Sequence, residues 1–294
     1  MSEQHIRAGN AAPPLTVDVT PESAGWSETS LQVIDLGEHP DGTASRALHT
    51  GGTEVMILPL AGSGVVECGR QRFELSPRTS VFDGPADMVY LGIGTEYRLA
   101  GTGRFAICGA RATRSLPNRR LPAADVPIEL RGAGNCSRQV HNFGAADTFA
   151  ADSLIAVEVI TPGGNWSSYP AHKHDERSAV ESELEEIYYF EVADGPGGPG
   201  FGFHRVYGTD TRPIDVLAEV RTGDVVLVPH GFHGPSVAAP GYDLYYLNVM
   251  AGPGPERAWR VVDDPAHAWV RDSWADLEID PRLPLHHTAT EPGA

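Results

Sequence analysis

The chain has 294 residues, 41% of them hydrophobic, enough to build a sizeable core in one large or two medium domains. A formal charge of −17 excludes the basic face that nucleic acid or an anionic membrane surface requires. It leaves room for a small anionic substrate, because a few local cations can dominate a pocket.

Residues 1–30 are polar and carry Pro13, Pro14 and Pro21, so they read as a loosely ordered lead-in. The first residues, Met1 to His5, lack the basic and apolar runs of a secretion signal, and no run reaches the length of a membrane span. The three cysteines, Cys68, Cys108 and Cys136, are too sparse for a disulfide framework. Together these features lead to the expectation of a cytoplasmic protein.

Short extended segments begin at Ser30. Strands are expected at 30–36, 54–60, 64–68, 71–75, 88–91 and 104–108, separated by turn residues about every ten positions, the spacing of an all-β sandwich or barrel. Residues 111–128, with Pro117, Pro122 and Pro127, read as a proline-stiffened linker. The strand rhythm then resumes at 137–143, 154–160, 202–207, 224–229 and 242–250. The final forty residues, with Trp259, His267, Trp269 and Trp274, read as a tail that packs back on the body with one short helix.

The chemistry concentrates in three stretches: Ser168-Tyr169-Pro170-Ala171-His172-Lys173-His174-Asp175, Glu185-Glu186-Ile187-Tyr188-Tyr189-Phe190, and Pro229-His230-Gly231-Phe232-His233. An H-x-H pair puts two imidazoles on one face of an extended strand, with Lys173 on the other. Glu186 and His233, in strand-like contexts, complete four possible ligands. Imidazole plus carboxylate suits a first-row divalent ion: Zn first, with Mn, Fe or Ni as alternatives. The competing reading, a surface histidine pair beside an acidic loop, leaves the matching contexts of Glu186 and His233 unexplained.

These stretches resemble the two signature motifs of the cupin superfamily, in which H-x-H, a glutamate and a later histidine bind one metal inside a small antiparallel barrel. Two departures stand out. The gap after His174 is stretched by a loop at 175–183, leaving Glu183 and Glu185 as competitors for the carboxylate role. The second motif is one residue short before its histidine. The resemblance selects Glu186, which directly precedes the apolar run. The first half echoes the second crudely, with His49, Glu54 and Gly84-Pro85-Ala86-Asp87. It therefore implies two tandem cupin-type antiparallel barrels, residues 1–125 and 126–294, with only the C-terminal one carrying a metal site.

Six segments in one order narrow the resemblance further, among them Gly134 to Phe143, Gly200 to Tyr207 and Ala239 to Gly252. They are similar to the 5-deoxy-glucuronate isomerases of myo-inositol catabolism. What this implies is conversion of an aldose acid to its ketose isomer, with the metal stabilising an enediolate. Tyr188 and Tyr246 are candidate proton-transfer residues, and Arg205 is the candidate cation for the substrate carboxylate. Arg138 is a weaker candidate for that cation; His141, His204 and His230 are read as structural or exposed. Alternatives are a related uronate ketol-isomerase of pectin breakdown, a cupin oxygenase and a non-catalytic sugar-binding cupin. The expected partner is a small sugar acid, with a homo-oligomer left open.

Overall fold

Two sixteen-residue strands, Thr53–Cys68 and Glu96–Arg111, pair antiparallel along most of their length and form the spine of the N-terminal barrel. Strands this long must bend, and they do so at glycine. Gly62 sits at φ 102°, where a Cβ would lie 1.9 Å from the Thr102 carbonyl oxygen. This computed structural model describes residues 4–37 and 44–285.

The N-terminal barrel is one eight-stranded sheet. Its main path runs Leu15–Val19, Thr29–Asp35, Glu96–Arg111, Thr53–Cys68, Met88–Leu91 and Arg119–Leu121. Ala44–His49, which the sequence reading missed, adds to Glu96–Arg111, and Gln71–Arg78 adds to Thr53–Cys68.

The C-terminal barrel has two sheets. Seven strands run His5–Ile6, Val225–Val228, Glu185–Val192, Leu244–Ala251, Ile155–Thr161, Arg138–Gly144 and Ile128–Arg131. Six more include Asp215–Val220, Gly202–Tyr207, Phe232–Ala238 and His172–Lys173. The expected all-β architecture of two antiparallel barrels is what the chain forms.

Two expectations change. The start of the chain is not a loose lead-in: His5–Ile6 pairs with Val225 and Val226 of the other barrel, so the first strand crosses the expected 125/126 boundary. The buried Asp224 fixes it, accepting from the Ala8 amide at 2.9 Å and lying 3.2 Å from both His5 Nε2 and Arg7 Nη1. A two-residue strand has no periodicity to read. The stretch 111–128 is likewise more than a linker, because Arg119–Leu121 pairs with Met88–Leu91.

Apolar side chains fill three regions. Val55, Ile57, Leu91, Leu99 and Phe105 pack inside the first barrel. Tyr188, Phe190, Val206, Tyr246 and Met250 pack inside the second. Met56, Leu58, Tyr90 and Cys108 meet Ile187, Tyr189, Tyr245 and Val249 between them. Strands buried on both faces explain why these runs are continuous rather than alternating.

The interface also carries polar clasps. Glu185 accepts from the amides of Ser27, Glu28 and Thr29 at 2.8–2.9 Å, and Glu54 accepts from those of Asp152, Ser153 and Leu154 at 2.6–2.8 Å. Each barrel thus holds the segment entering a strand of the other.

Candidate metal centre

Strand parity assembles the centre. Glu186, at the head of Glu185–Val192, points into the C-terminal barrel, while Glu185 turns to the interface and Glu183 lies exposed at the surface. His172 sits directly opposite His233 in the antiparallel pair. The ring nitrogens of His172, His174 and His233 lie within 4.8 Å of one another. Glu186 Oε2 is 2.9 Å from His174 Nε2 and 3.0 Å from His233 Nε2.

Backbone carbonyls orient all three imidazoles. His172 Nδ1 faces Pro170 O at 3.4 Å, His174 Nδ1 faces Leu184 O at 3.3 Å, and His233 Nδ1 faces Gly231 O at 3.2 Å. With the proton on Nδ1, each Nε2 lone pair points inward, the outer-shell arrangement of metal-ligating histidines. Asn248 Nδ2 donates to Glu186 Oε1 at 2.6 Å and fixes the carboxylate.

Burial, with His233 and His174 beside it, holds His172 neutral well below the usual histidine range. Burial opposes the charge of Glu186, yet the same histidines hold its carboxyl well below the usual carboxylate range. Burial also works against a charged His174, but Glu186 more than compensates and raises it. His233 Nε2 is buried and, although near Glu186, makes no hydrogen bond. An orphaned inward nitrogen, two neighbouring imidazoles and an anionic oxygen are a donor set that fits a divalent cation.

Beside the cluster lies a cavity of about 240 Å³, lined by His172, Ser168, Tyr188, Tyr246, Asn248 and a patch of arginines. Tyr188 and Tyr246 both face it, as strand parity predicts. Tyr245 turns to the barrel interface and donates to Glu158 at 2.9 Å. Ser168, at φ 48°, sets its hydroxyl 3.3 Å from Tyr188 OH and 3.1 Å from Tyr246 OH. Burial raises both phenols, so they hold their protons and act as donors. Sequence reasoning missed Ser168 and Asn248 as site residues, although Ser168 stands four residues before His172 in the quoted motif.

Arg205 does not face this cavity. On Gly202–Tyr207 its neighbours His204 and Val206 turn inward, so Arg205 turns out, pairing with Asp215 and donating to Val216 O at 3.1 Å. The sequence reading located its strand but not its parity. His204 is fully buried under the ring of Tyr188, with centroids 4.4 Å apart and Nδ1 2.7 Å from Ser236 Oγ. Burial and His233 push it down to about 3. His141 is buried at the barrel interface, 3.2 Å from Glu158. Lys173 turns outward as expected, onto Asp175, Glu176 and Glu181, and pins the inserted loop.

The KduI/IolB family profile matches residues 4–270. A protein of Geobacillus kaustophilus named 5-deoxy-glucuronate isomerase is 43% identical over 264 residues, covering 87% of this chain and 91% of that one. An IolB-like protein from Salmonella typhimurium LT2 superposes with a TM-score of 0.83 at 36% identity, over 91% of this chain and 98% of its own. Oxalate decarboxylase of Lactobacillus farciminis follows at a TM-score of 0.62 and 11% identity, covering 90% of this chain and 89% of its own, a likeness of fold alone.

Proposed function

The chain belongs to the KduI/IolB family, and from that premise we propose that it is a 5-deoxy-glucuronate isomerase. It converts the aldose acid 5-deoxy-D-glucuronate into 5-dehydro-2-deoxy-D-gluconate, moving a proton from the carbon bearing the hydroxyl to the neighbouring aldehyde carbon. The observation that carries the reading is the cluster of His172, His174, His233 and Glu186 beside a small cavity, with every Nδ1 facing a backbone carbonyl and a ring nitrogen of each histidine within 4.8 Å of the others.

These four residues would hold one divalent ion, zinc by the donor set. When bound, it supplies positive charge where the enediolate oxygens develop negative charge. Asn248 keeps Glu186 in place for that role. Tyr188, Ser168 and Tyr246 line up three hydroxyls that can hold the substrate's oxygens and pass a proton between them. The three cysteines are free and buried, which supports the cytoplasmic setting. Among the described residues no helix is long and apolar enough to cross a membrane.

The test is proton NMR of 5-deoxy-D-glucuronate with the purified protein in deuterated buffer, run beside an oxygen electrode. We expect the signal of the aldehyde-derived proton to give way to a hydroxymethyl group carrying one deuterium or one transferred proton, without oxygen uptake. Oxygen consumption, or conversion only of the pectin-derived uronate, would contradict the assignment.

A further inference from the structure

The chain treats the buried Arg78 and the half-buried Arg257 differently from the buried Arg138. Arg78 donates to Glu158 and to the carbonyls of Pro59, Val81 and Gly84. Arg257 donates to the carbonyls of Leu154, Phe149, Gly144 and Ala146. Each of these guanidiniums donates to four acceptors among the described residues, although Arg78 Nε is left without one, so most of the buried charge is met by protein. Arg138 is 6% exposed, yet among the described residues its one hydrogen bond runs from Nη1 to Cys136 O, at 3.1 Å.

Its surroundings are cationic. Arg131 and Arg271 line the same cavity, but each already forks onto a carboxylate: Arg131 onto Glu129 at 2.9 and 2.7 Å, and Arg271 onto Asp263 at 2.7 Å for the longer contact. Among the described residues no acidic side chain forms an ion pair with Arg138, in a chain with 39 acidic residues against 22 basic ones. The ring of Trp274, from the C-terminal tail, has its centroid 5.6 Å from the guanidinium carbon, and Arg138 lines the cavity. Gly132 at φ 82° makes room, since a Cβ there would stand 2.7 Å from Arg138 Nη1. Burial and the two neighbouring guanidiniums push Arg138 down to about 10, so it stays charged at neutral pH.

We propose that Arg138 binds the substrate's carboxylate and sets the preference for an acid over a neutral sugar. The inference rests on the isomerase reading. It follows from an unpartnered fork, held at the wall of the cavity that also contains His172, Tyr188 and Tyr246. A carboxylate accepts two parallel N–H bonds from such a fork and supplies the missing countercharge. The carboxylate end is thereby held while the aldehyde end lies toward the histidine cluster.

The test compares binding, by calorimetry, of 5-deoxy-D-glucuronate and of 5-deoxy-D-glucose, where a hydroxymethyl group replaces the carboxylate. It uses the protein as purified, with metal content and turnover measured in parallel. Wild type should prefer the acid by about a hundredfold, the usual scale for a paired buried charge. Arg138→Gln should bring the two ligands to within a few-fold at unchanged metal content. Arg138→Lys, which keeps the charge without the fork, should fall between them and serves if the glutamine variant fails to fold. A preference retained in the variants, or absent in wild type, overturns the proposal. If wild type binds the acid selectively but converts neither ligand, the isomerase reading fails while the role of Arg138 in carboxylate binding stands.

Discussion

At the same place in their sheets, the N-terminal barrel turns Val55 into its interior and the C-terminal barrel turns Glu186. Val55 stands opposite Leu91 and Gly109; Glu186 stands opposite Val228 and Met250. One position earlier the two barrels agree. Glu54 and Glu185 both face the interface, and each takes three successive amides from the segment entering a strand of the other barrel. Where Ala44–His49 meets Glu96–Arg111, the pair turned toward the core is Leu48 opposite Tyr97, and His49 lies exposed opposite Glu96. In the second barrel the inward pair is His172 opposite His233. The glutamates that join the barrels are shared, while among the described residues the candidate metal cluster occurs in one. The first barrel spends its interior on packing, the second on chemistry.

The sharpest way to break this comparison is to make the barrels alike. Glu186→Val should abolish metal binding and lower turnover by about a thousandfold or more, because the remaining imidazoles lose their anionic partner. Metal analysis and NMR turnover check this. The reciprocal Val55→Glu should gain no metal, since among the described residues no histidine cluster lies in that interior, and should lower stability in urea by burying an unpaired charge.

The next effect lies at the interface. Glu158 is 1% exposed and bridges the barrels through Arg78 at 2.7 Å, while His141 at 3.2 Å and Tyr245 at 2.9 Å hold it from its own barrel. Burial opposes its charge, but Arg78 and His141 hold its carboxyl down to about 2 against an ordinary 4.5. Because the folded value is depressed, the stabilisation is complete above about pH 4.5 and is lost as pH falls toward 2. Glu158→Gln should cost about 3 kcal/mol at neutral pH. The gap to wild type should close across that acid window in urea titrations.

Removing either clasp should cost less. Glu54→Gln and Glu185→Gln should each lower stability by about 2 kcal/mol, nearly additively, with metal content unchanged. A loss of metal in Glu185→Gln would show that the clasp and the ligand beside it act as one unit. Arg205→Gln should change least, within about 0.5 kcal/mol and about twofold in turnover, since its ion pair with Asp215 lies at the surface.

The clustering of the candidate ligands was legible because their spacing is local. H-x-H fixes two imidazoles on one face, and a P-x-G turn delivers His233 to the facing strand. The choice among Glu183, Glu185 and Glu186 needed strand parity, which the following apolar run supplied. Other features depend on tertiary pairing that no local pattern carries. Arg205 was located on its strand, yet its direction follows from His204 and Val206 both turning inward. Arg138 lines the cavity where Gly132 leaves room for its guanidinium and the tail brings Trp274 beside it.

The supposed echo of the metal motif in the first half was also misaligned. Glu54 matches Glu185, not Glu186. The turn after Met88–Leu91, not Gly84-Pro85-Ala86-Asp87, stands where the second barrel has its P-x-G-x-H. The carbonyl of Gly84 instead accepts from Arg78 at 2.7 Å.

The central claim, that the C-terminal barrel is a metal-dependent isomerase, is tested most directly by following 5-deoxy-D-glucuronate by proton NMR through three states of one preparation. These are the purified protein with its metal quantified, the same protein after chelation, and the chelated protein after metal is restored. The account predicts conversion to the 2-deoxy keto acid in the first state, none in the second and recovery in the third. Conversion that persists in metal-free protein, or a metal-loaded protein that leaves the acid untouched, would contradict it.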